Sequence, residues 1–371
     1  MKILITGAHF TPAIAVIEEL KERRDIQIVY VGRNATMEGQ NVTSVESKIL
    51  PKLGVKFIPI TTGRLHWGFT VFTIPSLLKI PIGFIQALVI VLSEKPAVIL
   101  SFGGYVAVPI VIMGWLWSVP IIVHEQTLVS GLANKISAFF ADKIAVGFVQ
   151  NSFAKNPKTI FTGNPVRKSI LYPKVTTDPV LKKIFQVAKM NRLPVVFITG
   201  GNQGSHIINQ AVENGLEKLL KISCVIHQVG DSKYRDFERL TSKQSDHYIV
   251  RKFIEEDMGT ILSHTDLIVS RAGINTLTEV AYAKKPALVI PIPYLYQDEQ
   301  VNNARFFEKL GFIKILHQSG LGEDRLYKKL AQMLKNLSKL QEKAKRAKLG
   351  IGRDGAKRLV METLLLAKSN L

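Results

Sequence analysis

Two stretches in the second half of the chain set glycines, amides and a carboxylate where a phosphate-bearing ligand would need them. In the first, the apolar run VVFIT ends in Gly200-Gly201, Gly204 follows, and a helical pattern begins after Ser205. Glycines let backbone approach a phosphate closely, and a helix N-terminus offers unpaired N–H groups and the positive end of its dipole. Asn202, Gln203 and Ser205 add side-chain donors. In the second, LIVS ends in Arg271-Ala272-Gly273, and a helix is expected to start near Asn275-Thr276. Two such helix starts in one domain suit a diphosphate. Glu279, in the first turns of that helix, suits the paired hydroxyls of a ribose. Asp298, Gln300 and Asn303, after the apolar run PALVIPIP, suit sugar hydroxyls. Each feature also has a plainer reading. Glycine turns arise from packing alone, a glutamate near a helix start is favoured by the dipole, and Asp298 reads equally as a cap. Taken in order, the features of Ser270–Ala304 point to a nucleotide-sugar.

The elements that must hold these residues alternate. KILIT, IQIVYVG, VKFIPI, AVILSFGG, PIIVHE and KIAVGF are short apolar runs separated by helical stretches, and VVFITGG, SCVIHQVG, HYIVRKF, LIVSRAG and PALVIPIP form a second series. Near-continuous hydrophobicity marks strands buried on both faces of a parallel sheet. The expected fold is α/β, with two doubly wound, Rossmann-like halves and a ligand cleft between them. The expected domains are residues 1–163, 164–345, and a helical tail at 346–371 that packs back on the first half; the turn-rich FTGNPVRKSILYP is the expected linker.

Composition narrows the function. The chain has 371 residues, 47% hydrophobic and 21% charged, which is globular material for two cores. A single cysteine, Cys224, leaves no disulfide framework or thiolate cluster. MKILITG leads straight into a strand, so no signal peptide is expected. The net charge is +20. Residues 1–163 carry 15 Lys/Arg against 9 Asp/Glu, and Arg325–Lys368 alone carries 13 against 3. Such a surface attracts phosphates, whether of nucleic acid, lipid or a small ligand, or is simply a solvated helical face. Nucleic acid is not expected as a partner, since no RNP-like motif, zinc spacing or helix-turn-helix is visible. Ile74–Leu92 and Val106–Val123 approach the length of a membrane span, but prolines and glycines interrupt both.

SRAGINTLTE, PALVIPIPY and DEQVNNA resemble the MurG family of N-acetylglucosaminyltransferases. The likeness extends in order through GGNQGS, TGNPVR, SFGGYVAVP, HEQTLVSGLANK and GAHFTPAIAV, nearly the whole chain. It implies the GT-B fold, a C-terminal domain for UDP-GlcNAc, and an N-terminal domain for a polyprenyl-pyrophosphate lipid acceptor. It implies an inverting transfer that completes lipid II in peptidoglycan synthesis. It further implies that backbone at Ile254 meets the uracil and Glu279 holds the ribose. Asn202, Gln203 and the segment Gly273, Ile274, Asn275, Thr276, Leu277 and Thr278 would face the diphosphate and its sugar. Gln300, with Gln297, would bind the transferred sugar. Thr6, Gly7, Ala8, Thr127 and Asn134 would line the acceptor side, and Arg167 would lie by the linker.

This chain departs from the family pattern at three places. GGTGGH is shortened to Thr6-Gly7-Ala8-His9, GGSQGA reads GGNQGS, and HEQN reads HEQT. His9 is the expected general base, since it follows the first strand and its ordinary pKa suits neutral pH. Binding acceptor phosphate or capping the helix is its plainer role. His124 and Glu125 are rival bases. No cofactor or metal is expected to be tightly bound, with a divalent cation at most stimulatory, because no Asp-X-Asp motif is present. Trp67, Phe69, Phe72, Leu77, Leu78, Ile80, Ile82, Phe84 and Ile85, with Arg64 and Lys79, are expected either to dock on an anionic membrane surface or to be core. The expected location is the cytoplasmic face of the cell membrane. Two other readings stand: a UDP-sugar transferase acting on another membrane lipid, and a non-catalytic UDP-sugar binder.

Overall fold

A computed structural model describes residues 1–33, 44–63, 73–201, 203–231, 233–254, 257–322, 324–347 and 354–369. The backbone contacts divide the chain into two units, Met1–Arg167 with Ile351–Leu371, and Lys168–Gly350.

The first unit runs β1 (Lys2–Thr6), α1 (Phe10–Leu20), β2 (Gln27–Gly32), α2 (Val45–Lys52), β3 (Lys56–Pro59), α3 (Thr73–Glu94), β4 (Val98–Ser101), α4 (Ala107–Leu116), β5 (Ile121–Glu125), α5 (Leu132–Phe140), β6 (Lys143–Val146) and β7 (Thr159–Phe161). The strands form one parallel sheet in the order β3-β2-β1-β4-β5-β6-β7. Ile3 lies between Ile28 on one side and Val98 on the other, so β1 is central. Its winding reverses between β1 and β4, which is where an open α/β sheet leaves a crevice. The strands are apolar throughout because both faces are covered. Ile3, Ile5, Leu100 and Ile122 meet α1 on one face, and Leu4, Ile99, Ile121 and Val123 meet α4 on the other. Helix α1 turns Ala13, Val16, Ile17 and Leu20 inward at the spacing of one helical face.

Helix α3 is continuous through Pro81. Its far end is fixed by Glu94, which is buried and accepts hydrogen bonds from Lys2 and Lys56, so β1, β3 and α3 are clamped together.

The second unit runs α6 (Lys168–Leu171), α7 (Pro179–Met190), β8 (Val195–Thr199), α8 (His206–Leu220), β9 (Cys224–Gln228), α9 (Asp236–Thr241), β10 (Tyr248–Arg251), α10 (Met258–His264), β11 (Leu267–Ser270), α11 (Ile274–Ala283), β12 (Ala287–Val289), α12 (Glu299–Glu308), β13 (Ile313–Ile315), α13 (Arg325–Lys335) and α14 (Leu337–Arg346). Its sheet is also parallel, in the order β10-β9-β8-β11-β12-β13, and winds in opposite directions from the β8–β11 boundary. Helix α15 (Gly355–Lys368) belongs to the first unit. Leu359, Val360, Leu364 and Ala367 enter the same core as α1, and Glu362 pairs with Lys143 at 2.7 Å.

Candidate functional site

Three loops meet at the crevice of the first sheet. After β1 the chain turns at Gly7, whose φ of 140° is closed to side chains; a Cβ there would lie 2.8 Å from the carbonyl carbon of Phe102. The turn has no slack. Phe102 N–H donates to the Thr6 carbonyl at 2.7 Å and Ala8 N–H to Gly103 O at 2.8 Å, while the Tyr30 hydroxyl donates to Gly7 O at 3.0 Å. The shortened glycine segment is therefore a pinned turn that sets His9 at the start of α1. His9 does not cap that helix with its side chain. Burial, with the charge of Arg33 nearby, brings its pKa down to about 4, so it is neutral at pH 7. His124, at the end of β5, is also brought down to about 4 by burial, against the effect of its hydrogen bond to the Gly163 carbonyl. Its Nδ1 is buried and has no partner at hydrogen-bonding geometry among the described residues, though the Gln126 side chain lies close enough to raise its pKa.

Glu125 is differently placed. One oxygen accepts from Thr127 N–H at 2.9 Å and from the Thr127 hydroxyl at 2.7 Å; the other accepts from Asn134 Nδ2 at 2.8 Å. Asn151 donates to Thr127 O and Asn164 to Gln126 O, which holds the loop from behind. Glu125, Thr127 and Asn134 thus form a buried brace for the loop. A carboxylate with both oxygens already accepting is less disposed to collect a substrate proton.

In the second unit the loop after β8 carries two glycines at positive φ, Gly201 at 86° and Gly204 at 73°. Gly204 packs directly on the Val229 carbonyl, where a side chain has no room. Gln203 is exposed, Ser205 starts α8, and Asn202 lies outside the described residues. The first intrahelical bond of α8 comes from Asn209 N–H to Ser205 O, which leaves the earlier N–H groups for a ligand. A buried network steadies that end. His206 donates to Asp236 at 2.9 Å and stacks on Tyr234; Asn209 donates to Asp236 at 2.8 Å and accepts from His227, which in turn accepts from the Tyr248 hydroxyl at 2.9 Å.

At α11, Gly273 sits at the N-cap position and Leu277 N–H donates to Gly273 O, so the N–H groups of Ile274, Asn275 and Thr276 are the unpaired ones. Ile274 and Leu277 turn their side chains into the domain, so only their backbone can serve a ligand. Thr278 is 1% exposed and its hydroxyl donates to Ile274 O. Glu279 is half-buried on the adjoining face. Ile254 is buried, in the loop between β10 and α10. Gln300 is a brace as much as a ligand group: its Oε1 accepts from Ala272 N–H at 3.2 Å and from Ile292 N–H at 3.1 Å, so only its amide nitrogen is positioned to donate to a sugar. Asn303, expected at sugar hydroxyls, is buried and donates to Ala272 O. Gln297 and Asp298 are exposed, both at positive φ, 51° and 52°. Arg167 is half-buried at the end of the first unit.

The structure adds Arg271, which sequence reasoning passed over as the end of a strand. It is 8% exposed, donates to the Ser205 hydroxyl at 2.8 Å and to Ile290 O at 3.1 Å, and has no carboxylate among those acceptors. Burial lowers its pKa from the ordinary arginine value. A buried guanidinium whose partners among the described residues are neutral, between the loops after β8 and β12, is a ready partner for an anion. An arginine ending an otherwise apolar strand, just before a glycine and a helix, was the available signal. Among the described residues no group of His, Cys, Asp and Glu is arranged to hold a metal.

Of the apolar cluster expected on α3, Leu77, Leu78, Ile82 and Ile85 are exposed, and Ile80, Phe84 and Lys79 are half-buried. Arg64, Trp67, Phe69 and Phe72 lie outside the described residues. Trp115 and Trp117 at the end of α4 and Phe139 on α5 are exposed too, Phe139 by 78%. Ser76–Glu94 is long and apolar enough to cross a membrane, with 28% of its most apolar window buried.

Residues 6–146 match the glycosyltransferase family 28 N-terminal domain, and residues 195–359 the family 28 C-terminal domain. Over 341 residues the chain is 32% identical to the UDP-N-acetylglucosamine–N-acetylmuramyl-(pentapeptide) pyrophosphoryl-undecaprenol N-acetylglucosamine transferase of Clostridium botulinum, covering 90% of this chain and 91% of that protein. The protein of the same name from Clostridium perfringens is 32% identical over 357 residues, 95% of each chain. Among solved structures, Acinetobacter baumannii MurG is similar at a TM-score of 0.66 with 24% identity, covering 98% of this chain and 99% of that one. The UDP-GlcNAc 2-epimerase of Neisseria meningitidis, bound to UDP-GlcNAc, is similar at 0.68 with 16% identity, covering 98% and 100%. At these identities the two structures show the shared fold.

Proposed function

The chain belongs to the family of UDP-N-acetylglucosamine–N-acetylmuramyl-(pentapeptide) pyrophosphoryl-undecaprenol N-acetylglucosamine transferases, and from that premise we infer that it performs the family's reaction in peptidoglycan synthesis. It is an N-acetylglucosaminyltransferase that uses UDP-GlcNAc as donor and a polyprenyl-pyrophosphoryl muramyl lipid as acceptor. The observation that carries this is identity of 32% spread over 90% of the chain, across both units.

The residues divide the work. An acceptor hydroxyl, the muramyl 4-hydroxyl, attacks the anomeric carbon and UDP departs with inversion. Charge builds on the leaving diphosphate. The unpaired N–H groups at the starts of α8 and α11, with Arg271 reaching from the α11 loop to Ser205, are fixed donors suited to such charge and need no reorganisation during reaction. Glu279 takes the ribose, the Gln300 amide the sugar, and Ile254 backbone the uracil. Transfer proceeds without a tightly bound metal. His9 is the base. It is neutral in the ligand-free protein, and a bound pyrophosphate would raise its pKa toward neutrality, improving its match to the task.

The acceptor reaches the protein from a membrane. Helix α3 packs on α4 and α4 on α5, so the exposed apolar side chains of all three lie on neighbouring helices of one unit. Exposed aliphatic and tryptophan side chains so grouped suit docking in the interface of an anionic leaflet. The Glu94 clamp ties α3 into the domain sheet, which favours docking over spanning.

Transfer of label from UDP-GlcNAc to a lipid I analogue tests the function, with a diacylglycerol acceptor in parallel. Product from lipid I alone is expected. Product from diacylglycerol alone would reassign the acceptor, and donor binding without product from either would reduce the protein to a UDP-sugar binder. Sedimentation with vesicles tests docking; equal binding to neutral and anionic vesicles would remove charge from the account.

A further inference from the structure

Beyond the donor loops, the second unit carries a groove that the transfer reaction does not use. It lies between the segment following β13 and helix α13, with a volume of about 580 Å³. Arg325, Lys328, Lys329 and Gln332 line one wall, and His317 and Ser319 belong to the other. The four on α13 stand at the spacing i, i+3, i+4 and i+7, which is a single helical face. The opposite face, Leu326, Leu330 and Met333, is locked into the core, so the basic face cannot turn away. Gly320 lies under Arg325, where a Cβ would stand 3.2 Å from its Nη1.

Among the described residues, no lining residue of this groove is a carboxylate. Elsewhere on the basic tail the three carboxylates are already taken: Glu342 pairs with Arg346, Asp354 with Arg358 and Glu362 with Lys143 of β6. Asp324, at the start of α13, is paired with Lys218 at 2.5 Å and feels the charge of Lys328 only at longer range, without a direct ion pair. Among the described residues, Lys329 donates to the neutral Gln332 amide oxygen, at 3.2 Å. Like charges at these spacings oppose each other in a helix. An anion set among them removes that repulsion, while Ser319 and Gln332 supply neutral hydrogen-bonding groups. The planar Arg325 fork with two ammonium groups suits the several oxygens of a phosphate.

We propose that this groove is a second anion site, taking a phosphate group from either an anionic lipid headgroup or a soluble phosphate compound. It is distinct from the donor loops, because its residues come from β13 and α13 and not from the turns after β8 and β11. It does not depend on the identity of the sugar acceptor.

Lysine acetylation followed by mass spectrometry on the full chain reads the site directly, at constant ionic strength. Inorganic phosphate is titrated in one arm; phosphatidylglycerol and phosphatidylcholine vesicles are compared in the other. Lys182 and Lys189, exposed on α7, serve as controls. At ligand ten times its dissociation constant, the acetylation rates of Lys328 and Lys329 should fall by about tenfold while the controls change less than about twofold. Protection by inorganic phosphate identifies a soluble ligand; protection by phosphatidylglycerol vesicles alone identifies a headgroup. Arg325→Gln should move the midpoint to at least about fivefold higher ligand concentration. The proposal fails if neither probe protects Lys328 and Lys329, if all four lysines are protected alike, or if Arg325→Gln leaves the midpoint in place. Failure here leaves label transfer from UDP-GlcNAc untouched, so the two readings fall separately.

Discussion

The crevice loops of the two units solve different problems with the same sheet topology. In the first unit the loops present side chains: two neutral histidines, His124 buried and His9 half-buried, and a glutamate braced by Thr127 and Asn134. In the second they present backbone, since the turns after β8 and β11 deliver helix N–H groups and most nearby side chains point inward. Proton transfer needs a titratable atom at one place, which only a side chain offers. A diphosphate needs several donors spread over several oxygens, which a helix start offers without titration. Substitutions should therefore act through chemistry in the first unit and through binding in the second.

The largest expected effect asks whether buried neutral histidines are confined to the chemical half. They are not: His227, in the second unit, is held down to about 3 by burial. Unfolded, it would bind its proton near the ordinary 6.5. Between those values the unfolded chain holds more protons, so its stabilising effect is complete above pH 6.5 and is lost as the pH falls toward 3. The loss is on the order of several kcal/mol. Denaturant melts across that range should show it, and His227→Asn should flatten the slope; an unchanged slope would place the acid sensitivity elsewhere.

Next, His9→Ala should lower kcat by on the order of 10²-fold, with little change in the KM for UDP-GlcNAc. A near-normal kcat would remove His9 from proton transfer. Glu279→Gln should do the reverse, raising the donor KM by about tenfold, the loss of one charge-assisted hydrogen bond, with a smaller change in kcat. An unchanged KM would take the ribose away from Glu279. The smallest effect sharpens the boundary between the two faces of α11. Thr278→Val loses a buried hydroxyl that donates to Ile274 O of its own helix, so donor KM should hold within about twofold and stability within about 1 kcal/mol. A tenfold rise in KM would mean that Thr278 does reach the ligand.

The alternation of strand and helix was legible because parallel strands buried on both faces are apolar without interruption. Two strands escaped. Thr159–Phe161 stands at the start of the expected linker and Ile313–Ile315 lies where no strand was expected; each has three residues, at a sheet edge, and is largely half-exposed. Such segments carry neither a full apolar run nor enough length for alternation. At the site, the glycines and helix starts could be read locally, since steric demand and dipole act within a few residues. Side-chain direction could not. Thr278 and Glu279 are neighbours in sequence, and only packing of α11 on its domain turns one inward and leaves the other at the surface.

By itself, the sequence determined the two-domain α/β architecture, the helix starts fit for a diphosphate and, through its ordered motifs, the transferase family. Those follow from periodicity, backbone sterics and motif order, all written along the chain. Only the tertiary structure decided which polar groups are committed to the protein. Glu125 meets Asn134 across nine positions, and Gln300 meets Ala272 across twenty-eight. Arg271 became visible only once Ser205 and Ile290 were brought beside it. A hydrogen bond is local in space, and sequence spacing does not encode which distant partner will arrive.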